Sequence, residues 1–460
     1  MKVKPSRLIG PREFYIRFLT IALPIMVKQG ITSFVNMLDN IMVGRISTPA
    51  MSGVAIVNQL LFVFNLIIFG GMAGAGIFTA QYFGRQDESG VRYSFRFKIL
   101  ISIFLSFCGI AVLYFLRSPL VGLYLHESEG SRLLASTMKE AESYLRLILW
   151  GLLPFALTQA YASTISECGD TFLPMAAGLA AVLINLAGNY VLIFGRLGFP
   201  ALGTAGAAIA TDLSRIAEML ILVFYTHSHA GRHPFIRAAY RSFHIPRDLF
   251  RQILVKGTPL LINEAMWSMG MTILVQNYSF RGLEVVAALN ISTTISNVFN
   301  IVFIALGSAI AIIIGQELGA GDPLVREDAG RLTFFAVVCC VLSGACLFAA
   351  APFFPQIYNT EETVRQTASH FIMIAALAMP MYAYENSTYF ILRAGGKTLI
   401  TFLFDACFIW VVSIPLSLIL SRFTILPIVL VYGLVQAAEI IKCIFGFVLV
   451  RMGIWVNRIT

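Results

Sequence analysis

Apolar runs separated by short polar breaks recur along the chain from its N-terminal region to its C-terminus. A helix needs about 17–25 mostly apolar residues to cross the hydrocarbon layer of a bilayer. On that length the pattern predicts twelve spans, near 14–40, 52–78, 95–116, 141–164, 173–195, 202–226, 250–278, 285–315, 331–354, 367–392, 399–421 and 425–451. The longest connections are the third-to-fourth and the sixth-to-seventh. The first span reads as a retained helix, because it is long, lacks an evident small-residue cleavage site and is followed by eleven more.

The spans fall into two similar halves. The second span ends in TAQYFGRQD and the eighth in IGQELGAGD, so Gln81, Gly84 and Asp87 return as Gln316, Gly319 and Asp322 at a constant offset of 235 residues. At the same offset Pro24 matches Pro259 and Arg96 matches Arg331. Further along, Pro154, Ile165 and Gly169 match Pro380, Ile391 and Gly395, and Gly206, Asp212 and Arg215 match Gly433, Glu439 and Lys442. An ordered set of this kind marks an internal repeat. Six spans per half is an even number, so both halves enter the membrane in one direction, as in transporters that rock two lobes about a central site. The expected fold is an all-α integral membrane protein of twelve helices in two six-helix lobes related by a pseudo-two-fold. Residues 1–230 form the first lobe, 231–249 a cytoplasmic linker and 250–460 the second lobe.

Composition supports the membrane reading. Of the 460 residues 58% are hydrophobic and 12% charged, against roughly 25% charged in a soluble protein. A net charge of +9 can signal nucleic-acid binding, but here the basic residues gather in alternate connections, the bias that sets membrane orientation. Lys2, Lys4, Arg7 and Arg12 precede the first span, Arg85, Arg92 and Arg96 follow the second, and Arg232, Arg237, Arg241 and Arg247 separate the lobes. Both termini are therefore expected in the cytoplasm, with the chain multi-pass in the cell membrane. The seven cysteines lack metal or redox spacing and read as packing residues. No phosphate loop, Ser/His/Asp order or HExxH is present, so the chain carries no visible machinery of an ATPase, hydrolase or zinc protease. His227, His229 and His233 in HSHAGRH read as solvated loop residues rather than metal ligands.

In LPIMVKQGITSFVNMLDNIMVGR, TAQYFGRQDE, ISECGDTFLPM, NLAGNYVLIFG, GTAGAAIATDLSR, GTPLLINEAMWSMG, GQELGAGD and LRAGGKT, taken in order and on these spans, the sequence resembles the multidrug and toxic compound extrusion (MATE) transporters. The resemblance runs through nearly the whole chain. It implies a secondary active antiporter that alternates between inward- and outward-facing states and exports organic, often cationic or amphipathic, compounds. It needs no cofactor; the coupling ion is a transported sodium ion or proton. A flippase of lipid-linked sugars from the same superfamily is the alternative. Membrane lipids and small organic substrates are the expected partners, nucleic acid is not, and the expected state is a monomer.

Ionisable side chains inside membrane helices are costly and usually face a partner or a watery cavity. Asp39 lies near the outer end of the first span, where the resemblance implies a role in coupling or substrate binding, with an interfacial acid capped by water as the plain alternative. Relatives with a proton site there pair the acid with an Asn and an Asp in the fifth span. Here those places hold Asn185 and Asn189. An amide cannot carry the proton, which weakens a relay at Asp39 but leaves hydrogen bonding to substrate or cation, or simple joining of helices.

Glu264 follows Pro259 in the seventh span, where a proline kinks a helix and frees a carbonyl. Glu385 lies in the tenth span, and the resemblance places these two acids in the cavity of the second lobe. A hard cation needs several oxygens, which Glu264, Glu385 and Asp405 offer; the structural alternative pairs these acids with Lys28, Asn263 or Asn386. Lys28 occupies the repeat position of Asn263 and is a candidate partner for Glu264. Trp267 and Tyr384, with Met266, Met269, Tyr278, Tyr382 and Tyr389, are candidates for an adaptable cavity wall. Asp212 with Arg215 and Glu439 with Lys442 share a spacing of three, which predicts an ion pair on one helix face in each lobe. Gating or structural roles are assigned to Pro24, Pro259, Gln81, Gln316 and these two pairs. Gly84 and Gly319 are read as left-handed helix stops, with Gln81 and Gln316 one turn inside.

Overall fold

A computed structural model describes residues 9–124 and 131–460. Lys2, Lys4 and Arg7 lie outside the described residues, as does part of the third connection. Fifteen α-helices follow one another: α1 (Arg12–Gly44), α2 (Thr48–Gly84), α3 (Glu88–Phe115), α4 (Arg117–Gly122), α5 (Ser131–Ile148), α6 (Leu152–Glu167), α7 (Phe172–Phe194), α8 (Thr204–Ser228), α9 (Arg247–Ser279), α10 (Leu283–Ala320), α11 (Val325–Ala350), α12 (Glu362–Ala394), α13 (Thr398–Phe402), α14 (Ile414–Phe423) and α15 (Ile428–Met452). Each of the twelve spans expected from the apolar runs is helical. The fourth is α5 and α6 joined through the 3-10 turn Leu149–Gly151, and the eleventh is α13 and α14 joined through two π turns, Leu403–Cys407 and Ile409–Ser413.

Among the described residues, nine helical segments are long and apolar enough to cross a membrane. The other three spans, α8, α9 and α12, have 25, 33 and 33 residues. At 1.5 Å per residue the shortest is about 37 Å long, more than the ~30 Å of hydrocarbon. These three hold Asp212, Arg215 and Glu218, Glu264, and Glu385.

Packing gathers the chain into two compact units. One comprises Val27–Thr79 and Asp87–Leu254; the other comprises the chain up to Met26, Ala80–Gln86 and Val255–Thr460. In the first, α7 packs on α8 and α3 on α6. A buried ion pair joins the last two: Lys98 Nζ lies 2.5 Å from Glu167 Oε2 and also donates to Ser163 and Thr164. A β-carbon at Gly76 would collide with that carboxylate, so glycine leaves it room. In the second unit α10 packs against α11 and α12, and α12 against α15, around Leu306, Ile310, Ile313 and Leu392.

The segment between α8 and α9 is tied to α3 by Arg92, which donates to Phe235 O at 3.4 Å, and above all by Arg96. Arg96 donates to the carbonyls of Ala238 (2.8 Å), Ala239 (2.8 Å) and His244 (3.0 Å). Ala238 has φ 58°, a left-handed conformation costly for a residue with a β-carbon, and three charge-assisted bonds hold the turn around it. His227 and His229 are exposed, as expected, but His233 is not a solvated residue: it is 2% exposed, with Nε2 3.8 Å from Asp170 Oδ2. Burial, partly opposed by Asp170, pushes the His233 pKa down, which favours the neutral imidazole.

Candidate functional site

In the first unit the outer half of α1 brings Asp39 against α7. Asn189 Nδ2 donates to Asp39 Oδ1 at 2.6 Å. With its amide turned so that the oxygen accepts from Thr211 Oγ1, Asn185 Nδ2 donates to both oxygens of Asp39, at 3.1 and 3.0 Å. The four-residue spacing of Asn185 and Asn189 puts both amides on one face of α7, and both are buried. The carboxylate is held by neutral donors and, among the described residues, has no ion-pair partner, an arrangement suited to taking up a cation or a proton. Nearby on α1, Ser33, Asn36, Met37 and Asn40 line a groove of about 450 Å³. Asn36 and Asn40 are polar lining residues that the reading of Asp39 alone passed over.

Lys28 takes Glu218 as its partner, with Nζ 2.8 Å from Oε1. The lysine stem crosses α7 at Gly178, where a β-carbon would lie 2.9 Å from its Cε. Glu218 completes an acid–base–acid series with Asp212 and Arg215 at steps of three along α8, a spacing visible in the sequence. The expected Asp212–Arg215 ion pair does not form. Asp212 presses its carboxylate on the backbone at Gly151, and Arg215 lies over the Phe155 ring at 5.3 Å. Asp212 Oδ1 and Arg215 Nη1 have no hydrogen-bond partner. Helical spacing brings Cβ atoms together, but here each long side chain finds a better surface on the turn that α8 packs against.

Replacing Lys28 by methionine is expected to leave Glu218 as an uncompensated acid and to lower the unfolding temperature. Adding Glu218→Gln should restore part of the loss, with a coupling of about 0.5–3 kcal/mol in a double-mutant cycle followed by thermal unfolding in detergent.

In the second unit the acids converge on one lysine. Lys442 of α15 places Nζ 2.9 Å from Asp405 Oδ1, 3.5 Å from Glu385 Oε2 and 4.0 Å from Glu439 Oε2. Glu439 and Lys442 therefore meet along one helix face, at the outer limit of ion-pair distance. Asp405 belongs to the first π turn, and Asn263 of α9 secures it twice. Its Nδ2 donates to Asp405 Oδ2 at 3.0 Å, and its Oδ1 accepts from the backbone N–H of Ala406 at 3.2 Å. A π turn redirects side chains and displaces the ordinary helical hydrogen bonds, and the Asn263 amide meets the need that this creates. Glu264 stands apart from the lysine and accepts from Tyr389 Oη at 3.2 Å. Tyr389, expected in a cavity wall, thus also orients an acid. Trp267 is 38% exposed and Tyr384 half-buried. Both α1 and α9 run on through Pro24 and Pro259.

The repeated motif at the ends of α2 and α10 has a different basis from a left-handed stop. The left-handed residues are Gln86 (φ 62°) and Gly321 (φ 73°), two positions beyond the motif glycines and again 235 residues apart. Gly84 and Gly319 are glycine for another reason. A β-carbon on Gly84 would overlap the carbonyl oxygen of Gln316, and one on Gly319 would overlap that of Gln81. The two helix ends cross backbone to backbone, each glycine on the other's glutamine. Gln81 then binds the C-terminal segment: Nε2 donates to Ala394 O (3.0 Å) and Asn457 O (3.2 Å), and Oε1 accepts from Ile459 N (2.9 Å). Gln316 Oε1 accepts from Arg17 Nη2 at 3.1 Å.

The MatE family profile matches residues 24–191 and 260–419, once in each half. The chain belongs to the MatE family. Its relatives include the probable multidrug resistance protein NorM of Thermotoga maritima, 24% identical with 89% of this chain and 86% of the relative aligned. Another is the probable multidrug resistance protein YoeA of Bacillus subtilis, 22% identical over 88% and 86%. Among solved structures, an outward-facing multidrug resistance MATE family transporter of the MOP superfamily superposes with a TM-score of 0.85 at 17% identity, over 98% of each chain. A MOP superfamily transporter from Pyrococcus furiosus gives 0.82 at 17% identity, also over 98% of each. The fold is therefore that of the MATE transporters, twelve transmembrane helices in two six-helix lobes. Within this MatE chain the residues that sequence reading missed are mostly the partners of the charges it found: Glu218, Thr211 and Ser413. Cys443, read as packing, has its thiol 3.6 Å from Glu385 Oε1.

Proposed function

We propose that this MatE chain is a secondary active antiporter that exports organic cations and amphipathic compounds, driven by inward flow of sodium ions or protons. The observation that carries the reading is the Asp39 site: an acid inside a membrane helix, held by two amides of a second helix and, among the described residues, without an ion-pair partner. Such a group is costly in lipid unless it takes up a cation during the working cycle. The multidrug resistance names of the relatives and the absence of a nucleotide-binding loop in the sequence support the same reading. The basic connections favour cytoplasmic placement of both termini and of the crossed ends of α2 and α10.

In liposomes loaded with a fluorescent organic cation, an imposed sodium or proton gradient should drive its movement through the wild-type protein. Asp39→Asn keeps the shape of the site and removes its charge, and is expected to lower the gradient-driven rate at least tenfold (about 1.4 kcal/mol in the barrier). Equal rates with and without every gradient would overturn the antiporter reading.

A further inference from the structure

The second unit brings three carboxylates together in the place where a coupling metal ion would be sought, and the structure puts an ammonium among them. Glu385 comes from α12, Asp405 from the π turn and Glu439 from α15. Each acid turns one oxygen toward Lys442 Nζ, at 3.5, 2.9 and 4.0 Å. The other oxygen of each acid is held by a neutral donor: Cys443 Sγ for Glu385 (3.6 Å), Asn263 Nδ2 for Asp405 (3.0 Å) and Ser413 Oγ for Glu439 (3.2 Å). Both oxygens of Glu385 and Asp405 are thus engaged, while Glu439 Oε2 faces the ammonium at ion-pair distance without a hydrogen bond. The lysine side chain is 8% exposed and its ammonium lies 5.4 Å from the centre of the Phe404 ring, which adds cation–π attraction. Among the described residues no group of three or more His, Cys, Asp or Glu is arranged to hold a metal ion.

We propose that Lys442 is a tethered cation that determines ion specificity by excluding sodium from the Glu385, Asp405 and Glu439 cluster. A sodium ion needs several oxygens close around it, as hard cations do. Those oxygens are already directed at an ammonium, and a second positive charge beside it would meet like-charge repulsion in a low-dielectric setting. The cluster is open to sodium only when the lysine is gone. This inference rests on the antiporter reading for its consequence: any sodium coupling must then run through acids outside this cluster, Asp39 first among them.

The test reads sodium binding without transport, as the rise in unfolding temperature when sodium replaces choline around the purified protein. The quantity compared is the part of that rise removed by Glu439→Gln. In the wild type it is expected to be zero, and Lys442→Arg should behave the same way. In Lys442→Met it is expected to appear as a shift on the order of 3 °C. A sodium shift in the wild type that Glu439→Gln abolishes would overturn the proposal, as would a Lys442→Met protein with none. If Lys442→Met fails to fold, the wild-type comparison still decides. Failure of gradient-driven export would sink the antiporter reading and leave this result intact, so the two can be told apart.

Discussion

Asp405→Leu is expected to cost about 3–5 kcal/mol of stability and to abolish transport. Asp405 is the nearest countercharge of Lys442 and also accepts from Asn263. Removing it takes away two bonds to a charged acceptor, each worth about 1.5–3 kcal/mol, and leaves a buried ammonium short of its closest partner. It also frees Asn263, whose other end holds the backbone N–H of Ala406 in the π turn. Thermal unfolding in detergent measures the loss. Asp405→Leu combined with Lys442→Leu should recover much of it, because replacing both members of a buried pair by apolar residues is often close to neutral. If the double variant is as unstable as the single one, the cost lies in the shape of the turn and not in charge.

The other large effect is expected from the crossing of α2 and α10. Gly319→Val places a branched side chain where even a β-carbon overlaps the Gln81 carbonyl. The opposing atom is backbone, so no rotamer change relieves the clash and the helix ends must separate. Separation also loosens the C-terminal segment, since Gln81 binds Asn457 and Ile459. Transport is expected to fall at least tenfold (about 1.4 kcal/mol), with faster hydrogen exchange at the ends of α2 and α10 and in residues 453–460. Gly84→Val should reproduce the effect, because Gly84 meets the Gln316 carbonyl in the same way. Gly321→Ala should not, since the cost there is local backbone strain at φ 73° and not a helix contact. If all three variants behave alike, the glycines matter for helix ending and the crossing is incidental.

How much of this was legible beforehand follows from which interactions act along the chain and which act between helices. All twelve spans could be read because in lipid the backbone must satisfy its own hydrogen bonds, so a long apolar run has helix as its main option. The repeat was legible at single residues, since Gln81 and Gln316 are separated by the same offset as Pro24 and Pro259. Asp39, Asn185 and Asn189 were grouped through the family resemblance, and the fold brings them together. Glu264, Glu385 and Asp405 were also picked out in advance, and the fold joins the last two at one lysine. Lys442, the common partner of Glu385 and Asp405, was assigned to a local pair with Glu439 on α15, and that is only its longest contact. The left-handed residue was placed two positions too early where the motif glycines looked like stops, because a close backbone approach and a left-handed turn both call for glycine.

The sequence by itself determined the number of membrane spans, their division into two lobes of one plan, and the set of ionisable groups that lipid makes expensive. It did so through hydropathy, length and repetition, which need no knowledge of neighbours. Other pairings were decided only by the tertiary structure: Lys28 with Glu218, Lys442 among three acids, Gly84 on Gln316. Each depends on how far a helix is rotated about its axis and where it crosses the next. A π turn or a single glycine can redirect a side chain by several ångströms without changing the apolar pattern on either side.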